Sequence, residues 1–292
     1  MTQVPIVVGG IGGSGTRVVV ELLEACGVSM GPTSMTTRDN LWFLHLVTIP
    51  AIARRPESFA QLEAYIETSP GLTIFEKAMT HIRLNAAERS VATGCFAPIL
   101  SRERTCDAYQ LLLHERPQSA EVWGWKDPNT HIMLPVLHRR FPAMRYIHLL
   151  RHGVDMAFST NKNQVRSWGH LFDIHGHRWR VPFVEWSTEP TPAEALQYWI
   201  AATRRVLALG REVLSGRFLL LRFEALCARP LEAIQQLVNF VGLEISPDKL
   251  VSLAKIPQQP LSAGRHARED LSQFSRVALE QVCVLGYTIG FP

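Results

Sequence analysis

The 292-residue sequence has little charge excess, no paired cysteines and no long apolar run. Its formal net charge of +4 favours an anionic ligand but falls short of the basic stripe that a nucleic-acid surface needs. The five cysteines, Cys26, Cys95, Cys106, Cys227 and Cys283, are scattered, odd in number and free of CxxC spacing. That pattern argues against a disulfide framework or a thiolate metal site and predicts buried free thiols in a reducing compartment. Nothing approaches the ~20 consecutive apolar residues of a membrane span. The chain also runs into its first apolar segment without a basic stretch and signal-like apolar region, so a cytoplasmic location is expected. Repeats and low-complexity tracts are missing too. With 47% apolar and 19% charged residues, the composition is that of a globular protein with a substantial core.

What is present is concentrated at the start. Residues 4–8 read as a buried strand, residues 9–17 as a glycine-rich turn and residues 18–26 as an amphipathic helix stopped by Gly27. Glycines here let backbone N–H groups point inward, and the helix N-terminus adds partial positive charge, so the segment is a cradle for a phosphate or sulfate. Gly10-Ile11-Gly12-Gly13-Ser14-Gly15 matches the dinucleotide pattern GxGxxG, but that ligand needs an acid about 20 residues on, and residues 28–31 supply none. A Walker kinase loop needs Lys before its Ser/Thr, whereas this loop ends Gly15-Thr16-Arg17. A third ligand is the 5′ phosphosulfate of a sulfuryl donor, which calls for N–H groups and hydroxyls without a tightly held metal. A plain strand–helix turn needs no ligand, yet five glycines between Gly9 and Gly15 exceed what such a turn requires.

Further strands are predicted at residues 122–125, 145–150 and 217–222, with a short one at 28–30. Helices are predicted from 128 to about 140, with the regular part starting near Pro135, then over 153–159, from a Thr191-Pro192-Ala193-Glu194 capping box, over 230–241, after Ser246-Pro247, and to about 285. Residues 32–115 read as short helices broken at Pro50, Pro56, Pro70 and Pro98, a helical insertion suited to an acceptor-side wall. Residues 164–189 lack a clear period and are expected to be a lid loop. The whole, residues 1–292, is expected to be a single doubly wound α/β domain with a central parallel sheet and a P-loop-like strand–loop–helix. Lys126 and Arg151 each follow a predicted strand, so both cations should face the crevice at the C-terminal strand ends, beside the glycine loop.

Five segments in order resemble the sulfotransferases that use 3′-phosphoadenosine 5′-phosphosulfate (PAPS). They are Gly13-Ser14-Gly15-Thr16; Trp125-Lys126-Asp127-Pro128; the run from Phe141 through Arg151-His152-Gly153 to Ser159; Leu221-Arg222-Phe223-Glu224; and Ser262-Ala263-Gly264-Arg265. The resemblance implies that Gly13, Ser14, Gly15, Thr16 and Arg17 hold the 5′ phosphosulfate. It also implies that Arg151 and Ser159 bind the 3′ phosphate, that Arg265 closes over it and that Phe223 lies near the adenine. PAPS would be the co-substrate and no metal is expected. The chain departs from the pattern it resembles at Gly13, where many of those sulfotransferases carry Lys or Arg, and at Phe223, where Tyr is common.

Sulfuryl transfer, like phosphoryl transfer, relies on positioning and charge. Lys126, Arg17 and Asp39 are the candidate catalytic residues. Asp39 is either the general base or the cap of the helix that follows it. His131 is a second base candidate, though a surface or core histidine is the more ordinary reading of it. His170, Asp173, His175 and His177 lack a recognised ligand spacing. The acceptor class stays open among small-molecule, phenol, carbohydrate, lipid and peptide acceptors. A nucleotide-dependent phosphotransferase and a catalytically silent nucleotide-binding protein are the rival readings.

Overall fold

The computed structural model describes residues 4–99, 103–113, 122–174 and 189–289. Four strands, β1 (Ile6–Gly10), β2 (Gly124–Lys126), β3 (Arg145–Leu150) and β4 (Phe218–Arg222), form one parallel sheet in the order β2-β1-β3-β4. Ile6 is registered against both Gly124 and Arg145, so the strand that carries the glycine loop lies inside the sheet. The α/β class expected from the sequence is therefore the observed one.

Side chains alternate across the sheet as the pleat requires. Ile6, Val8, Ile147, Leu149, Leu219 and Leu221 pack on one face. They meet Val19, Leu22 and Leu23 of α1 (Thr16–Ala25) and Ile234, Leu237 and Val238 of helix Pro230–Val241. Val7, Trp125, Tyr146 and Leu150 pack on the other face, with Trp199 and Val206 of helix Pro192–Glu212. Burying each such large side chain is worth roughly 1.5–3 kcal/mol, and with both faces covered the strands read as continuous apolar runs. β2 has only three residues but sits on an aromatic cluster: the Trp125 ring lies 5.1 Å from Phe75, 5.3 Å from Phe141 and 5.6 Å from Phe43. Close approach of β2 to β1 also demands glycine, since a Cβ at Gly124 would stand 2.2 Å from the Ile6 carbonyl oxygen.

Most boundaries fall where the sequence put them, and the departures have local causes. The stretch expected to be a strand at 28–30 makes only an isolated bridge, Ser29 to Trp123. Pro50 does not break its helix: Leu41–Phe43, a π-helical turn at Leu44–Thr48 and Ile49–Arg54 run on continuously. The widened turn accommodates a residue that has no N–H to offer the Leu46 carbonyl. Helix Gly153–Ala157 ends before Ser159, which lies beyond its C-terminus rather than in its second turn. The expected lid loop opens instead with helix Asn163–Trp168 and a 3-10 turn at Gly169–Phe172. Residues 175–188, including His175, His177, Trp179 and Trp186, lie outside the described part. All five cysteines are free, and they are half-buried rather than buried. Among the described residues no helix is long and apolar enough to cross a membrane.

Candidate functional site

Among the described residues the sheet has one switch point. The chain leaves β1 to form β2 on one side and returns to form β3 on the other. Ligands of open parallel sheets bind at such points, outside the C-terminal strand ends. Here β1 ends in the glycine loop, β2 ends on Lys126, and Arg151 follows β3.

In the loop, Gly13 and Gly15 have φ of 95° and 93°, which glycine adopts without Cβ strain. Gly15 precedes α1 directly, and a Cβ there would come within 2.6 Å of the Phe223 ring. The loop is held from outside by Gln164. Its Oε1 accepts from Gly12 N at 2.9 Å, and its Nε2 donates to the Gly10 carbonyl at 3.4 Å. Ser14 is 1% exposed, yet its hydroxyl has no hydrogen-bond partner among the described residues. A buried hydroxyl is rarely left so, and the orphan suits an anion in the cradle. Thr16 is buried at the first turn of α1, whereas Arg17 is exposed.

Lys126 is buried at 2% exposure and forms an ion pair with Asp39. Its Nζ also donates to the Thr37 carbonyl at 2.8 Å. Backbone geometry sets up the pair, because Asn40 N donates to the Lys126 carbonyl at 2.8 Å and thereby delivers residue 39 to the end of β2. Thr37 Oγ1 donates to the other Asp39 oxygen at 2.6 Å, and Arg38, at φ 57°, ties the turn to Glu24 of α1. Asp39 does not cap the next helix. Asn40 does, accepting from Phe43 N at 2.9 Å.

Asp127, beside Lys126, is fully buried. Its carboxyl accepts from Asn129 N and Nδ2 at 2.7 Å each and from Thr48 Oγ1 at 3.0 Å. Burial, reinforced by the nearby Asp39 charge, pushes its pKa up to about 6. His131 is no base for this site: it is buried, bonded to the Pro128 carbonyl and to Tyr198, and burial pushes its pKa down to about 4.

On the other side of the loop, Arg151 is 8% exposed, its Nη1 donating to the Gly13 carbonyl at 3.3 Å and its Nη2 to Ser262 Oγ at 2.9 Å. The guanidinium lies 5.2 Å from the Phe223 ring centroid, which leaves Phe223 buried between Arg151 and Gly15. Arg151 Nε is buried without a partner among the described residues. Ser159 Oγ comes within 3.7 Å of the place a Gly13 Cβ would occupy, and Arg265 Nη1 donates to the Phe158 carbonyl at 2.8 Å. Residues that converge only after folding are thus Gly13, Ser14, Gly15, Arg151, Ser159, Phe223 and Arg265 on one side, and Lys126 with Asp39 on the other. Sequence reasoning gave no role to Gln164, Asn40 or Ser262, which meet Gly10 and Gly12, the Lys126 carbonyl and Arg151 respectively, all distant along the chain.

A sequence model described as the sulfotransferase family matches residues 5–247. No curated protein sequence matches the chain. Among solved structures, the sulfotransferase domain of the curacin biosynthetic pathway is 14% identical, with a TM-score of 0.52 over 99% of this chain and 100% of that one. The sulfotransferase domain of the Synechococcus PCC 7002 olefin synthase is 15% identical, with a TM-score of 0.49 over 99% and 96%. A mouse sulfotransferase, SULT7A1, solved with PAP, is 11% identical, with a TM-score of 0.41 over 87% and 65%. With a family match that takes in the glycine loop, Lys126, Arg151 and β4 alike, this chain belongs to the sulfotransferase family.

Proposed function

We propose that the protein transfers the sulfuryl group of PAPS to a hydroxyl or amine acceptor by in-line displacement. The observation that carries this reading is the convergence of an orphaned loop hydroxyl, a buried lysine–carboxylate pair and a buried arginine at three neighbouring strand ends.

The residues fit the donor. Ser14 and Thr16 offer hydroxyls, and the first N–H groups of α1, including that of Arg17, open toward the loop because no preceding turn accepts them. Arg151, Ser159 and Arg265 offer the charged and hydroxyl donors that suit a second phosphate. Phe223 supports both the loop and Arg151 and stands as the wall on the adenine side. When bound, the donor supplies an electrophilic sulfuryl group and a nucleoside bisphosphate leaving group.

Gly13 leaves the loop without a cation of its own. Lys126 takes that role from β2: two of its three N–H donors are committed to Asp39 and Thr37, and the third remains for developing negative charge. Arg17, exposed at the mouth, adds field there. Asp39 accepts the proton of the acceptor hydroxyl as the new S–O bond forms, and its bonds to Lys126 and Thr37 fix its orientation. Helices within 32–115 form the acceptor-side wall, so a small-molecule, carbohydrate or lipid acceptor meets Asp39 from that side. The family relation favours sulfuryl over phosphoryl transfer and an enzyme over a silent binder.

Calorimetry with 3′,5′-adenosine bisphosphate beside ATP tests the donor assignment. Tighter binding of the bisphosphate is expected. Equal affinity for ATP would overturn the assignment, and no transfer from PAPS across an acceptor panel would overturn the enzymatic reading.

A further inference from the structure

Outside the groups just assigned, three titratable side chains meet beneath the 3′-phosphate side: His152, Asp155 and His266. Their ligand atoms lie within 4.8 Å of one another. The two imidazoles are stacked face to face, with centroids 4.0 Å apart and planes 3° from parallel. Parallel rings confine their in-plane lone pairs to two parallel planes that do not meet, whereas zinc needs lone pairs that converge on one point about 2.0–2.1 Å from each nitrogen. The cluster is built instead as a clamp.

Asp155 accepts three hydrogen bonds, all from one turn: Gly264 N at 2.6 Å, His266 N at 2.9 Å and His266 Nδ1 at 2.7 Å. Burial alone would push its carboxyl up, but the bonds from His266 and Gly264 outweigh burial and hold it below the usual range. His152 is the platform for the His266 ring and is itself fixed, its N–H donating to Glu224 Oε1 at 2.8 Å and its Nε2 bonding the Thr288 carbonyl at 3.2 Å. The turn so held carries the two residues that reach the arginine side of the site, Ser262 on Arg151 and Arg265 on the Phe158 carbonyl. Apart from a 3-10 turn at Arg265–Ala267, this stretch has no regular structure of its own, and Gly264 sits at φ 71°.

We propose that Asp155, acting through Gly264 and His266, is the positioning residue that gives this protein its preference for a 3′-phosphorylated nucleotide. The proposal rests on the donor reading above. Asp155 acts through the turn that its carboxyl holds. It keeps Arg265 and Ser262 in place before the phosphate arrives, so the cost of ordering the turn is not charged to binding. A binding-competent fraction that falls from near one to about a tenth weakens apparent affinity about tenfold.

The test is calorimetry of 3′,5′-adenosine bisphosphate and of adenosine 5′-phosphate on the full chain and on Asp155→Asn, His266→Ala and His266→Asn. Asp155→Asn sets an amide N–H against a backbone N–H. His266→Ala removes the ring donor but leaves the His266 and Gly264 backbone N–H bonds to Asp155 in place, and His266→Asn restores a donor where Nδ1 stood. Asp155→Asn and His266→Ala should weaken the bisphosphate about tenfold while adenosine 5′-phosphate stays within about twofold, and His266→Asn should recover most of the loss. Variants that keep the wild-type ratio between the two nucleotides, or lose both equally, would overturn the proposal. A wild-type protein that does not distinguish the two nucleotides would instead overturn the donor reading, and this inference with it.

Discussion

Gly13 and Gly15 offer a matched pair for measuring what the glycine loop demands. Both have nearly the same positive φ, 95° and 93°, so alanine at either meets the same left-handed backbone strain, about 1–2 kcal/mol. Alanine also restricts the unfolded chain, which returns roughly 0.4–1 kcal/mol. Their surroundings differ sharply. A Cβ at Gly13 finds nothing nearer than Ser159 Oγ at 3.7 Å, an ordinary contact, while one at Gly15 lies 2.6 Å from two atoms of the Phe223 ring. Phe223 is 4% exposed and has Arg151 over its face, so it has little room to retreat. Overpacking of that kind costs about 1–3 kcal/mol. Gly13→Ala should therefore lower stability by about 1 kcal/mol and Gly15→Ala by about 2–4 kcal/mol, read as shifts of the urea midpoint at constant m-value. Combining Gly15→Ala with Phe223→Leu should recover about 1–2 kcal/mol of the sum, the coupling expected of residues in contact. Equal losses for the two alanines, or strict additivity with Phe223→Leu, would refute the steric argument.

Three other outcomes follow from the site. Lys126→Met should cut kcat/KM by roughly 10²–10³ and, by leaving Asp39 without its counter-charge, lower stability, part of which Asp39→Asn should restore in the double variant; steady-state kinetics and urea melts check both. Asp127 should make the protein less stable as pH rises from about 4 to about 6, because the folded state with its carboxyl pKa near 6 holds the proton more tightly than the unfolded chain; Asp127→Asn, which keeps the bonding shape, should gain on wild type over that window in urea midpoints taken at each pH. Gln164→Ala frees the Gly12 N–H and the Gly10 carbonyl and should weaken 3′,5′-adenosine bisphosphate about tenfold by calorimetry with little change in Tm, whereas an unchanged affinity would mean that the loop holds its own shape.

The strands were legible because they are covered on both faces: residues 145–150 form an apolar run whose bounds the structure reproduces, and the Thr191–Glu194 capping box marks its helix start directly. Lys126 and Arg151 could be sited at strand ends because a residue's position relative to a parallel strand fixes its place along the sheet, although Lys126 closes β2 rather than following it. The misreadings lie where a tertiary contact overrides a local preference. Asp39 and Asn40 are about equal as helix caps by propensity; the buried lysine at the end of β2 claims the aspartate and leaves the asparagine to cap. Ser159 follows a helix that stops at Ala157 without a glycine or proline to announce it. Gln164 showed no pattern, because its partners lie at Gly10 and Gly12. Asp155 and His266 are invisible to spacing for the same reason.

The place of β1 in the sheet also bears on how the chain reaches its fold. The strand that carries the cradle is made first, yet both of its neighbours come more than a hundred residues later: Ile6 pairs with Gly124 and with Arg145. During synthesis it has no sheet partner until most of the helical segments before β2 have emerged. Closing such long loops is slow, and contacts of this separation form late unless the nucleus contains them. The pairing of β1 with β3 sets the register that brings Arg151, just past β3, beside the glycine loop. Substitutions that weaken that pairing should slow refolding more than substitutions that weaken the helices before β2, while β4 and the residues beyond it can dock on β3 afterwards.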